Sequence, residues 1–143
     1  MGLPPISAVL AALGIAVSAY LTVIHFDEGL LVCGLSDCHT VQTSDYAEIL
    51  GIPVALLGLG MYVALLGLVA LRWLRPAITV ATTAAAFALA LAGVIFAGYL
   101  TYVEIFVLEA ICQWCVVSAV LTTLLLVVEG LMVNRLLAMP DVA

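Results

Sequence analysis

Lysine is absent from this sequence, and charge of either sign is scarce. Three arginines stand against nine acidic residues, so charged side chains make up 8% of the 143 residues and the net charge is −6. Soluble domains carry about a quarter of their residues as charged side chains. The shortage excludes an ordinary water-soluble globule. The missing basic patch excludes nucleic acid as a partner, because nothing is present to neutralise phosphates. Basic residues are also missing from the N-terminal Met1-Gly2-Leu3-Pro4-Pro5. The apolar run behind it outlasts the roughly 7 to 15 residues of a signal-peptide core, so it reads as a retained first span and not a cleaved leader.

What is present is hydrocarbon. Hydrophobic residues are 67% of the chain, and they fall into four runs, from about Pro5 to Phe26, Pro53 to Leu71, Ala77 to Tyr102 and Ala110 to Val133. Runs of this length can cross about 30 Å of hydrocarbon at about 1.5 Å per helical residue. The expectation is an all-α integral membrane protein of one domain over residues 1–143, a four-transmembrane-helix bundle surrounded by membrane lipid. Pro53 and Pro76 mark helix starts, where an unpaired amide would be wasted anyway. Gly14 with Ser18, Gly60 with Ala64, Gly93 with Ala97 and Ser118 with Thr122 are small residues one turn apart, candidates for close helix contacts in lipid.

The polar stretch Asp27–Ile52 holds five of the acids, His39 and two cysteines, and must lie outside the hydrocarbon. Val41, Tyr46, Ile49 and Leu50 alternate with Thr43, Ser44, Asp45 and Glu48, which suits a short interfacial helix between the first two spans, capped by Ser44 or Asp45. All three arginines, Arg72, Arg75 and Arg135, fall on the turn after the second span or beyond the fourth. The positive-inside rule makes that side cytoplasmic, with both termini, and turns the cysteine loop outward. Glu104 and Glu109 read as solvated residues of the turn between the third and fourth spans.

Four cysteines form two close pairs, Cys33 with Cys38 in the loop and Cys112 with Cys115 at the head of the fourth run. Two pairs allow three connectivities, and exchange between them is itself a mechanism. Three apart on a helix, Cys112 and Cys115 would share a face about 4.5 Å apart along the axis, with Cys112 shallower and Cys115 deeper in the bilayer. The partial positive charge of a helix start favours thiolate there. Cys-x-x-Cys facing an oxidising compartment points to redox chemistry, although two buried small hydrophobes, a static loop disulfide or an all-thiolate metal site remain open. Trp114 can stack on a ring or anchor the interface. Thr43 and Ser44 can donate to a ligand carbonyl. His39 beside Cys38 reads as a solvated loop histidine.

The loop cysteine pair, Gly51-Ile52-Pro53 opening the second span, Tyr99-Leu100-Thr101-Tyr102-Val103-Glu104 ending the third and Cys112-Gln113-Trp114-Cys115 opening the fourth together resemble the prokaryotic vitamin K epoxide reductase homologues over nearly the whole chain. The resemblance implies a bundle around a quinone, ubiquinone or menaquinone, in the plasma (inner) membrane of a prokaryote. It implies that a periplasmic or other extracytoplasmic thioredoxin-fold protein of the DsbA type passes electrons through Cys33, that Cys38 exchanges with Cys112, and that Cys115 reduces the quinone. Ser44, six residues after Cys38, takes the place of the family's ligand-binding serine. Ala119 and Ala47 stand where animal enzymes have a tyrosine and an asparagine, so quinone reduction is expected and not epoxide reduction. Many prokaryotic members carry a fused thioredoxin-like domain, whereas here the partner is expected to be a separate protein. In the DsbB family the Cys-x-x-Cys precedes the loop pair, the reverse of this order. From other classes, a thiol-based metal-binding membrane carrier is the alternative, and a purely structural subunit is the blandest.

Overall fold

The computed structural model describes residues 3–27, 29 and 43–139. Cys33, Cys38 and His39 lie outside the described residues, as does most of the expected outer loop. Four long helices account for most of the rest: α1 (Leu3–Phe26), α2 (Val54–Leu74), α3 (Thr79–Tyr102) and α4 (Gln113–Leu137). Each is long and apolar enough to cross a membrane. In hydrocarbon every backbone N–H and C=O needs an internal partner, so an apolar run of this length closes its own hydrogen bonds as a helix. The molecule is an all-α four-helix membrane bundle.

Neighbours in sequence are neighbours in space. α1 packs on α2 and α4, and α3 packs on α2 and α4, an up-and-down ring of four. Close approach depends on small residues. A Cβ added at Gly14 would fall inside the ring of Tyr62, and one at Gly93 would come 2.5 Å from Met61 Sδ and 2.9 Å from Thr122 Cγ2. Gly60 differs from the expectation: nothing lies within 4 Å of a Cβ built there, and its partner Ala64 is exposed, so this small pair faces outward.

Polar side chains tie the ring across its diagonal. Tyr62, fully buried on α2, donates its O–H toward α4, 2.9 Å from the Ser118 carbonyl and 2.9 and 2.7 Å from the Ser118 and Thr122 hydroxyls. Lower in the bundle, Arg72 of α2 donates to Glu129 of α4 at 2.9 Å, and Ser7 of α1 donates to the other Glu129 oxygen at 2.7 Å. All three are buried. Arg72 is therefore no part of an exposed basic turn. Its helix continues to Leu74, and Glu129, well inside α4, supplies the counter-charge that lets a guanidinium stay in apolar surroundings.

Between α1 and α2 the expected interfacial helix is a single 3₁₀ turn, Asp45–Ala47. Ser44 stands at its N-cap position, but its side chain makes no capping bond. The chain then reverses in a two-residue hairpin, β1 (Glu48–Ile49) against β2 (Ile52–Pro53), antiparallel with Glu48 opposite Pro53 and Ile49 opposite Ile52. Leu50 and Gly51 at its tip have φ of 55° and 81°. Two consecutive positive φ values match the twist of a tight hairpin and cannot continue a helix. Glu48 is anchored to the end of α1 by His25, at 2.7 Å.

Candidate functional site

The site is built where α3 hands over to α4. α3 does not stop at Tyr102 but widens into a π-helical turn, Val103–Val107, closed by Leu108 N–H donating to the Val103 carbonyl at 2.9 Å. Such single turns insert an extra residue and re-aim side chains. The chain reverses through Glu109, whose φ of 49° is in the left-handed region, and Ala110 N–H donates to the Glu104 carbonyl at 2.9 Å. Cys112 then occupies the N-cap of α4 in an extended conformation, φ −93° and ψ 117°, and Cys115 lies in the first turn.

Glu104 is the centre of this handover. It is 5% exposed, its carboxylate accepts the Cys112 backbone N–H at 3.1 Å, and it shares the cavity wall with Cys115. The expectation of a solvated turn glutamate is thus overturned: the π turn carries Glu104 inward as part of the helix, while Glu109 stays exposed. Burial of a carboxyl is tolerable because the donors of the turn are aimed at it.

The two thiols have unlike surroundings. Cys112 is fully buried among Ala110, Leu108 and Trp114, and Cys115 is half-buried and packed against Cys112. Because Cys112 caps the helix and does not lie within it, the pair is not a simple shallow-and-deep step along one face. Cys115 alone of the two lines a half-open cavity of about 360 Å³ bounded by residues of all four helices and the hairpin. Its walls are largely apolar, with Leu21, Met61, Phe96 and Leu100 among them, and its polar residues include Ser18, Ser44, Tyr62, Thr101, Glu104, Ser118 and Thr122. That volume falls in the range of about 300–1,000 Å³ usual for small-molecule sites.

The vitamin K epoxide reductase family model matches residues 5–129, a stretch containing the cavity, the π turn and the Cys-x-x-Cys. The chain belongs to the vitamin K epoxide reductase family. As a member of that family it is a multi-pass membrane oxidoreductase of thiol–disulfide and quinone chemistry. The family is generally linked to quinones and to thioredoxin-fold partners.

Within this family member the sequence-derived residues are distributed unevenly around the cavity. Cys115 and Ser44 line it, and Cys112 sits behind Cys115. Trp114 stands edge-on to Tyr20 of α1, ring centroids 5.1 Å apart, and does not line the cavity; exposed Thr43 lies beside Ser44, also off the wall. Glu104 and Tyr62 belong to the site and are missing from the sequence-derived set. The available signal for Glu104 was an acid at the end of an apolar span, eight residues before Cys112, since ionisable groups at membrane depth are costly and usually functional. Tyr62 had no such signal.

Proposed function

We propose that the protein is a quinone-dependent thiol–disulfide oxidoreductase supporting disulfide formation in exported proteins. The observation that carries this reading is Cys115 on the wall of an apolar, ring-sized cavity, packed against Cys112 behind it. A bound quinone supplies a two-electron, two-proton acceptor. The chain does the rest. A thioredoxin-fold dithiol reduces the Cys33–Cys38 disulfide through Cys33, and the Cys38 thiolate attacks Cys112 in the Cys112–Cys115 disulfide, releasing Cys115. Cys33 then displaces Cys112 from Cys38, which restores the loop disulfide and leaves Cys112 and Cys115 as a dithiol. Closure of that dithiol gives up the electron pair at Cys115. Ser44 is the donor that orients a carbonyl edge near Cys115, and Thr43 and Trp114 support it from outside the cavity wall.

The acceptor is ubiquinone or menaquinone, and epoxide reduction is not assigned, with Ala119 and Ala47 where animal enzymes carry their tyrosine and asparagine. Residues 1–143 act as one domain in a prokaryotic inner membrane, termini cytoplasmic and both cysteine pairs outside, an orientation supported by Arg75 and Arg135 at one end of the bundle. Purified protein given a reduced thioredoxin-fold donor and a soluble quinone tests the reading. Wild-type protein should reduce the quinone in proportion to donor thiols, and Cys115→Ser should reduce none. Undiminished turnover by Cys115→Ser would refute it.

A further inference from the structure

Resting on that reading, we propose that Glu104 is a catalytic residue, the proton acceptor for the Cys115 thiol. Three observations converge on it. Its carboxyl lies beside Cys115, the sulfur that faces the cavity. It is held in one orientation, because its side chain accepts the Cys112 N–H at 3.1 Å and its backbone carbonyl accepts the Ala110 N–H at 2.9 Å. It also lines the cavity itself, and among the described residues it is the one carboxyl that does so. A carboxylate fixed on a reacting thiol and open to the acceptor's chamber has the geometry of a general base, which works within hydrogen-bond reach of the proton it takes.

The chemistry needs such a group. Converting two thiols to a disulfide releases two electrons and two protons, and the acceptor takes up both of each to become a quinol. Glu104 takes the proton of Cys115 as its thiolate forms, then releases it into the cavity. Glu104, a carboxylate again, then takes the second proton, that of Cys112, as the Cys112 sulfur bonds to Cys115, and passes it into the cavity in turn. Two S–H bonds break, one S–S bond forms, and the carboxylate ends as it began. Among the described residues, the titratable groups facing Glu104 are Cys115 and Cys112 from α4. Tyr46 of the 3₁₀ turn and Tyr62 of α2 line the same cavity, and α1 brings to it only the hydroxyl of Ser18 and the side chain of Leu21.

Glu104 could instead merely staple the turn, and Glu104→Gln separates the two roles. Gln keeps an oxygen for the Cys112 N–H but cannot take a proton. The readout is the alkylation rate of Cys115 in reduced, quinone-free protein, followed by peptide mass with iodoacetamide as probe. Only the thiolate reacts. With Glu104 present the proton moves within the pair, so the rate is nearly flat across neutral pH. In Glu104→Gln the proton must leave for solvent, so the rate climbs about tenfold per pH unit. Quinone reduction should fall by about 10²-fold in the same variant, the usual worth of a positioned base. In Glu104→Ala, added formate should restore turnover and formamide should not, which covers the case of a Gln variant that fails to fold. Parallel alkylation profiles in wild type and Glu104→Gln, or rescue by formamide as well as formate, would overturn the proposal. If wild type reduces no quinone, the function above fails, yet the alkylation profile still reports on the Glu104–Cys115 pair.

Discussion

Gly14→Ala should destabilise the bundle, although the same exchange in a helix normally helps. Ala is favoured over Gly in a helix interior by about 0.5–1 kcal/mol. Here the new Cβ would fall inside the Tyr62 ring, which is fully buried and has its hydroxyl held by Ser118 and Thr122 of α4. The ring cannot turn aside without losing those bonds. Overpacking costs about 1–3 kcal/mol, and each intramembrane hydrogen bond lost adds about 0.6, so the net expectation is a loss of about 2 kcal/mol. Gly60→Ala and Gly67→Ala are internal controls, since nothing lies within 4 Å of either position; they should be neutral or slightly stabilising. Reversible unfolding in mixed detergent micelles measures all three. In a Tyr62→Ala background the Gly14→Ala penalty should give way to the ordinary helix gain of about 0.5–1 kcal/mol, a coupling of about 3 kcal/mol that a double-mutant cycle reads directly. If Gly14→Ala behaves like Gly60→Ala, or if its cost survives the removal of Tyr62, the packing described for α1 against α2 is wrong.

Two further outcomes follow from the charges and the hairpin. Glu129→Ala strands the Arg72 guanidinium in the bundle and should cost about 3–5 kcal/mol, while Arg72→Leu with Glu129→Leu should recover most of it; the same unfolding assay decides, and equal losses for the single and double variants would refute it. Leu50→Asn should leave stability equal or higher, because Leu50 is 99% exposed at φ 55° and Asn before Gly51 suits that turn; a clear fall in melting temperature would contradict this.

The membrane class and the four spans were legible because hydropathy is a local property, summed over about 20 neighbouring residues without reference to anything distant. The Cys-x-x-Cys at the head of the last run is legible for the same reason, since it lies within a few adjacent positions, and the family is legible from the order of four such short motifs along the chain. The interfacial helix is present only as the single 3₁₀ turn Asp45–Ala47, since alternation of apolar and polar side chains carries no sign of the positive φ at Leu50 and Gly51 that folds the following residues into a hairpin. Adjacency in the chain groups Arg72 with Arg75, and only the approach of α4 reveals that Glu129 draws it inside.

The site follows the same division. The order of residues along the chain determined that a thiol pair stands at the start of a membrane-crossing helix. Which of the two sulfurs meets the cavity was decided by the N-cap, which takes Cys112 out of the helix and leaves Cys115 on the wall. Glu104 marks the boundary most sharply. By sequence it is an acid near a turn, and such acids are usually solvated. One π-helical turn, whose extra residue rotates everything after Tyr102, places it instead between the Cys112 amide and the Cys115 thiol. Composition determines which segments leave water, but the direction of a side chain at a helix end depends on how two helices close on each other, and that only the packed bundle decides.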